Sequence, residues 1–300
     1  MNSNIGCVIV TFNRMGKLKK ALDTYHCQEM LPKYIIVVNN ASTDGTTEYL
    51  KIWQERKAGY KKVVVNLPYN IGGSGGFYEG QKAALNEDAD WIMLADDDAY
   101  LDRDYIKKIQ EFIINLDNTN DISILCGKVI QHGTFVNPHR GFLSNTVSQN
   151  LVNTIPLEYY EEKSFECDVV SYVGPIINKN ILRKAGLVNK DYFIWYDDTE
   201  HCMRLKRYGK IVCITSTSIF HDTPSVGKVP TWKEYYGYRN QIDLLKNHKK
   251  SKLVITLILL GAKAILCPLK GRRLIDVKSR FIAIKDGLLG NLGKNEKYKP

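Results

Sequence analysis

The chain has 300 residues, 44% hydrophobic and 25% charged, as expected of one large globular domain with an appendage or of two small ones. Its seven cysteines are an odd number and show no C-x-x-C spacing. This argues against a disulfide framework or a zinc site and for a reducing compartment. The formal charge of +10 is uneven: residues 246–300 carry fourteen Lys and Arg against Asp276, Asp286 and Glu296, a net +11, and the rest nets −1.

The opening "MNSNIGCVIVTFNR" lacks a basic n-region, so no secretory leader is expected, and "CVIVTF" (7–12) reads as a strand buried on both faces. A helical stretch follows to about His26. "YIIVVNN" (34–40) is a second strand, and "ASTDGTTEYLKIW" is a turn entering a helix that Thr43 or Asp44 can cap. "KVVVNL" (62–67) is a third strand, "NIGGSGGFYEGQKAAL" (70–85) a glycine-rich loop running into a helix, and "WIMLADDD" a fourth strand. Strand and helix thus alternate through the first hundred residues, the pattern of a parallel, doubly wound sheet. Internal repeats and low-complexity segments are not seen.

The fourth strand runs into Asp96, Asp97 and Asp98, three carboxylates that repel one another at neutral pH. One aspartate suffices for a turn or a cap, and Asp102 can cap the helix announced by Tyr105, Ile106, Ile109 and Phe112. Three at the C-terminal end of a strand, where open α/β sheets bind ligands, suit a hard divalent cation, Mg²⁺ or Mn²⁺. The glycine loop is either a phosphate cradle at a helix N-terminus or a flexible turn. It lacks G-K-[ST], and Tyr78 breaks the G-x-G-x-x-G register.

Beyond residue 120, "ISILCGKVI" and "FECDVVSYVGPIIN" read as strands of a mixed sheet. "YFIWYDDTEHCMRLKRYG" enters a helix near Thr199, and "IVCITSTSIFHD" is a strand ending in His221. From about Pro230 the chain reads as mostly helical. Within it, "LVITLILLGAKAILCPL" (253–269) has an uncharged run ending at Lys263, shorter than the ~20 residues a span needs. Flanked by "KNHKKSK" and "KGRR", this stretch is either a buried helix with solvated ends or a segment lying on an anionic membrane surface. No nucleic-acid module accompanies the basic segment, so nucleic acid is not an expected partner.

In order, "VIVTFNR" (8–14), "NNASTDGT" (39–46), "NIGGSGGF" (70–77), "ADDDA" (95–99) and "WYDDTEHCMR" (195–204) resemble the successive motifs of a family 2 glycosyltransferase. The N-x-G-G-x-G-G-F loop and triple aspartate are most similar to its galactofuranosyltransferase-like branch, which includes many bacterial surface-polysaccharide enzymes. The resemblance covers roughly residues 5–240. It implies a GT-A-type, doubly wound, mostly parallel α/β sheet (Rossmann-like) over 1–229, with a helical C-terminal extension over 230–300.

The resemblance also implies roles. Asp96 and Asp98, with His221 late in the domain, hold a divalent cation. Thr11, Asn13, Arg14, Asn40, Asn70, Gly72, Gly73, Asp96 and Asp97 surround the nucleotide sugar. Asp198 is the base that takes the acceptor hydroxyl's proton, and Asp197 helps to orient the acceptor. Asp198 and Thr199 can also begin the helix, and Glu200 suits its N-terminal dipole. Asn39–Asn40 stands where Asp–Asn is more usual. Trp195 either stacks on a sugar or fills the core, and Arg239 of "YYGYRN" is a candidate for the acceptor phosphate. The expected activity is inverting, metal-dependent transfer from a nucleotide sugar onto a lipid-linked glycan, at the cytoplasmic face of the cell membrane. UDP-galactofuranose is the first donor expected, and dTDP-rhamnose or another UDP-sugar the alternative. A sugar nucleotidyltransferase is disfavoured because "IVTFNRMGK" lacks a basic glycine-rich loop, and two intact acidic clusters disfavour a non-catalytic binding protein.

Overall fold

The computed structural model describes residues 4–136, 139–144, 150–223, 229–271 and 273–299; Arg272, in the basic "KGRR" flank, lies outside them. Strands β1 (Ile5–Thr11), β2 (Tyr34–Asn39), β3 (Lys61–Asn66) and β4 (Trp91–Asp96) alternate with helices α1 (Met15–His26), α2 (Thr46–Glu55) and α3 (Gly72–Ala84). β5 (Ala99–Leu101), α4 (Tyr105–Ile114), β6 (Ile122–Gln131), β7 (Thr134–Val136), β8 (Arg140–Leu143) and β9 (Val152–Thr154) follow. Next come β10 (Ser164–Cys167), β11 (Val169–Val170), β12 (Val173–Asn178), α5 (Lys179–Ala185), α6 (Asp197–Leu205) and β13 (Lys210–His221). Three helices close the chain: α7 (Thr231–His248), α8 (Lys250–Leu266) and α9 (Leu274–Leu289).

The large sheet runs β10-β13-β6-β12-β4-β1-β2-β3, and β11-β8-β9 form a small second one. The β3-β2-β1-β4 half is parallel, whereas β12 enters antiparallel between β4 and β6. Alternate residues of β1 face opposite layers. Ile5, Cys7 and Ile9 pack with Leu18 of α1, Leu50 of α2 and Ile106 of α4. Val8 and Val10 pack with Phe77 of α3, Leu182 of α5 and Leu205 of α6. Both faces of the strand are therefore apolar, which is why the sequence shows unbroken β-branched runs rather than alternation.

Two local expectations change, and a third is extended. The glycine-rich stretch is not a loop ahead of a helix, because Gly72, Gly73, Gly75 and Gly76 are the first residues of α3 itself. The close packing explains them: a Cβ on Gly76 would meet Val10 of β1 at 2.5 Å, and one on Gly80 would meet Val8 at 2.3 Å. Asp102 does not cap α4. Its carboxylate accepts from the Arg103 N–H, and the N-cap residue is Asp104. Asp44 serves two helix starts, accepting from Thr46 N of α2 and Met15 N of α1.

The C-terminal helices are packed onto the rest. Tyr235 and Tyr236 of α7 cluster with Phe193, Ala283 of α9 and Tyr298. In α8 the buried residues are Lys252, Thr256, Leu260 and Ala264, a single i, i+4 stripe. Val254, Ile258, Ile265, Leu266 and Leu269 stand exposed, as do Leu274, Ile275 and Leu289 of α9. Helical structure continues past Lys263, so residues Lys250–Leu269, with mean hydropathy 2.0, reach the length and composition of a membrane span.

Candidate active site

The parallel register places Val10 of β1 opposite Asp96 of β4, so the residues just beyond both strand ends meet. Thr11 Oγ1 donates to Asp97 Oδ2 at 2.7 Å, and Arg14 reaches Asp97 Oδ1 at 3.3 Å and Asp98 Oδ2 at 2.7 Å. Lys17 stands 3.7 Å from the same Asp98 oxygen. On the other side, His221, the last residue of β13, places Nε2 3.4 Å from Asp98 Oδ1, while Gln131 bonds its Nδ1.

This arrangement holds the three adjacent carboxylates by giving each a different environment. Burial, then the charges of Asp98 and Asp97, push Asp96 well above the usual carboxylate range. Burial lifts Asp97 to about 6, against the Thr11 hydrogen bond and the Arg14 charge. Burial also works to raise Asp98, but the hydrogen bond and charge of His221, with Arg14 and Lys17, hold it below its ordinary value.

Two cavities share this floor. The smaller, about 240 Å³, is lined by Thr11, Arg14, Asn40, Asn70, Asp97 and Trp232, among others. The larger, about 550 Å³, holds Asp98, His221, His139, Trp195, Asp197 and Asp198. Arg14, Gly73, Asp96, Ile194 and Lys233 line both and mark the junction. Among the described residues, no group of three or more His, Cys, Asp or Glu side chains is already gathered as a metal site. Of the expected trio, Asp98 and His221 are in contact, and Asp96 lines the same cavity. The donor chemistry fits a hard cation: anionic oxygens plus one imidazole, with a half-buried Asp96 whose charge nearby positive charge would relieve.

The second acidic cluster starts α6. Residues 191–196 bring it in, with Phe193, Trp195 and Tyr196 at φ 66°, 67° and 66°. Asp197 is buried, which lifts it to about 7 with help from the Asp198 charge, while backbone N–H groups at the start of α6 oppose the shift. Asp198 is partly open. Burial raises it too, but its Oδ1 accepts from Thr199 N at 2.6 Å, which favours the charged form. Burial raises both carboxylates of this pair, and Asp198 is the one that stays open to the cavity. Glu200 is held to about 2: burial opposes ionisation, but hydrogen bonds from His248 and Arg204 prevail. It braces the helix and lines neither cavity.

Several expected site residues have other work. Asn13 lines neither cavity; its Oδ1 accepts from Thr43 N at 2.7 Å and braces the loop after β2. Asn40 lines the smaller cavity, with both amide protons engaged and one acceptor position of its Oδ1 filled. Its Oδ1 accepts from Ile71 N, and its Nδ2 donates to Asn70 Oδ1 and Gly72 O. Asn70 Oδ1 also accepts from Gly72 N. With Ser74 N donating to Phe193 O, part of the α3 N-terminus is already satisfied, which weakens the phosphate-cradle reading. Arg239 is not at an acceptor opening. It is fully buried, donating to the carbonyls of Asp191, Tyr192 and Gly293. Asn39 bonds Thr47, Asn66 and Ser42 within the fold. Trp195 is 38% exposed in the larger cavity rather than in the core.

Sequence reasoning missed Lys233, Trp232 and His139. Lys233 reaches the junction from α7. Burial and then Arg14 lower its pKa, while Asp96 and Asp98 oppose that shift. His139 stacks edge-on against His221, ring centroids 5.0 Å apart, and bonds Ser171. The place of "TWKEYYGYRN" just after the acidic motifs was the one signal for Lys233, and no signal marked His139.

The family model described as Glycosyl transferase family 2 matches residues 7–221. Galactofuranosyltransferase GlfT1 of Mycobacterium tuberculosis is 37% identical over 101 residues, 33% of this chain; the match spans about a third (32%) of that protein's length. The dTDP-rhamnosyl transferase RfbF of Shigella flexneri is 26% identical over 310 residues, 98% of each chain. Among solved structures, S. aureus TarS 1-349 in complex with UDP-GlcNAc matches with a TM-score of 0.61 at 15% identity, covering 96% of this chain and 80% of that one. GalNAc-T7 with UDP, GalNAc and Mn²⁺ matches with a TM-score of 0.57 at 14% identity, covering 82% and 48%. These structural likenesses establish the fold.

Proposed function

The chain belongs to glycosyl transferase family 2 and is a nucleotide-sugar glycosyltransferase, and from that premise we propose a specific reaction: inverting transfer of a sugar from a pyrimidine nucleoside diphosphate onto a lipid-linked glycan. The observation that carries this reading is the presence of both acidic clusters in one cavity, Asp96 and Asp98 with His221, and Asp197 with Asp198.

The nucleoside occupies the smaller cavity, against Thr11, Asp97 and Gly73, and its diphosphate lies at the junction beside Arg14 and Lys233. Asp198 accepts the proton of the acceptor hydroxyl. The acceptor oxygen bonds to the anomeric carbon as the bond from that carbon to the phosphate oxygen breaks. The nucleoside diphosphate leaves with the electron pair, and Arg14 and Lys233 stabilise the charge that builds on it. Asp96, Asp98 and His221 are the residues that would hold a divalent cation, whose chemistry is to neutralise that same charge. Trp195, exposed in the larger cavity, offers a ring face to a sugar.

UDP-galactofuranose is the first donor in this reading, supported by the similarity to GlfT1 over 101 residues. dTDP-rhamnose is the second, supported by the relative that aligns along the whole chain. The acceptor and its location rest on α8 and α9. One stripe of α8 packs inward, its exposed residues include apolar ones, and the sequence of 246–300 carries fourteen basic residues. That asymmetry favours a helix lying on an anionic membrane surface, at the cytoplasmic face, over one crossing it.

The test is donor turnover. The purified protein is incubated with a panel of nucleotide sugars and a lipid-linked glycan, with Mn²⁺ or EDTA, and released nucleoside diphosphate is followed. Metal-dependent release from UDP-galactofuranose alone is expected. Release from dTDP-rhamnose alone would keep the mechanism and replace the donor. The absence of both turnover and metal-dependent nucleotide binding would overturn the reading.

A further inference from the structure

The segment that delivers Asp197 and Asp198 is held in an unusual way. Phe193, Trp195 and Tyr196 are non-glycine residues in left-handed backbone, a conformation L side chains resist. Such a run persists only where its surroundings determine it more than once. Each carbonyl of the segment accepts at least one hydrogen bond. Asp191 O accepts from Arg239 Nη2 at 3.0 Å and from Gly293 N at 2.6 Å. Tyr192 O accepts from Arg239 at 3.0 Å and Asn240 Nδ2 at 2.9 Å. Phe193 O accepts from Ser74 N at 3.2 Å. Ile194 O and Trp195 O both accept from Asn240 Nδ2 at 2.9 Å, and Tyr196 O accepts the first α6 bond from Glu200 N.

Arg239 and Asn240 thus reach four of these six carbonyls, and both are fully buried. They also bond each other, Arg239 Nε to Asn240 Oδ1 at 2.9 Å. Arg239 Nη1 donates to Gly293 O at 2.6 Å, tying in the tail beyond α9. The Phe193 ring stacks on Tyr236 of the same helix, centroids 4.7 Å apart. By contrast, Thr11, Asp97 and Arg14 on the nucleotide side make no hydrogen bond to either residue.

We infer that Arg239 and Asn240 are positioning residues that set the catalytic carboxylates through the 191–196 segment, so that α7 and the tail at Gly293 are working parts of the active site. This rests on the glycosyltransferase reading for its kinetic arm and on geometry alone for its structural arm. Asn240→Leu removes the amide at similar volume, Asn240→Asp sets a carboxylate against three carbonyls, and Arg239→Lys keeps charge but loses the fork. Ile242→Val, on the same helix and buried, is the packing control.

The full chain is used for hydrogen exchange of peptides spanning 191–199, for binding of UDP and dTDP with Mn²⁺, and for transfer kcat. Both Asn240 variants are expected to exchange faster in that segment alone, to lose no more than a few-fold in nucleotide affinity, since Phe193 and Ile194 also line the smaller cavity, and to lose roughly 100-fold in kcat, the scale of an ~1 Å misplacement. Arg239→Lys should fall between them and Ile242→Val. Wild-type kcat and exchange in Asn240→Leu would overturn the inference. So would exchange that rises throughout the chain with nucleotide binding lost in step, since that is general unfolding. A wild-type protein that turns over no donor refutes the functional reading, while segment exchange still decides the role of the pair.

Discussion

Gly72→Ala probes the seat of the catalytic segment from the side opposite Arg239. Gly72 has φ +79°, and a Cβ built on it would lie 2.1 Å from Phe193 O and 2.6 Å from Phe193 Cδ2. The left-handed backbone alone costs an alanine about 1–2 kcal/mol. The Phe193 carbonyl must also retreat by roughly 1 Å, which strains or breaks its hydrogen bond from Ser74 N and removes about another 1 kcal/mol. The variant should therefore lose about 2–3 kcal/mol of stability, and a displacement of that size at Asp197 and Asp198 should lower kcat by about 100-fold. Gly73→Ala is the control for stability: nothing lies within 4 Å of its Cβ, so it should melt level with wild type or higher. Thermal melting and steady-state transfer measured on both variants settle the matter. Wild-type melting and kcat in Gly72→Ala would refute the claim that this glycine exists for the approach of Phe193.

Asp198→Asn should abolish transfer, by 10²-fold or more for a lost general base, while calorimetry with UDP or dTDP shows nucleotide binding retained. Lys233→Met should weaken binding of UDP by roughly tenfold and leave uridine binding unchanged, since the ammonium acts on the diphosphate; equal losses for both would place it elsewhere. Burial lifts Asp197 from 3.8 to about 7, so the folded chain loses stability as pH rises through that window, when the buried carboxyl must ionise. Asp197→Asn should accordingly melt above wild type at pH 8 and level with it below pH 4, and the opposite order would refute the assignment. Ile258→Asp with Ile265→Asp, both on the exposed face of α8, should reduce sedimentation with anionic vesicles; unchanged binding would remove the membrane-surface reading.

The parallel half of the sheet was legible because burial on two faces leaves a direct trace, an unbroken apolar run at each of β1, β2 and β4. The acidic motifs were legible for a different reason: adjacent carboxylates are costly, and three together require partners, here Thr11, Arg14, Lys17 and His221. The glycines misled only about the loop, because they signal close backbone approach without saying to what; Gly72 and Gly73 do line the smaller cavity. A loop cradling phosphate and a helix start pressed against Phe193 and Val10 call for the same residue. Asn13 and Arg239 misled similarly. A polar side chain in a motif invites a ligand, but each of these serves backbone groups brought near by tertiary structure, which no local spacing reveals.

The C-terminal segment shows how far charge can carry an argument and where it stops. Its net +11 is read directly from composition, although Lys252 and Arg280 turn inward, and several of its apolar residues face out. Its inner side is a separate matter. Lys233 enters the junction of the two cavities, Asn240 and Arg239 hold the segment before α6, and Gly287 of α9 lies so close that its Cβ would meet Arg239 O at 2.5 Å. Removing residues 246–300 would take away Gly287 and Gly293 together with the exposed apolar face, so loss of activity after truncation would say nothing about membranes. Substitutions on the outer face of α8 and at Asn240 separate the two roles. The first should change where the protein sediments and leave the 191–199 segment protected, and the second should do the reverse.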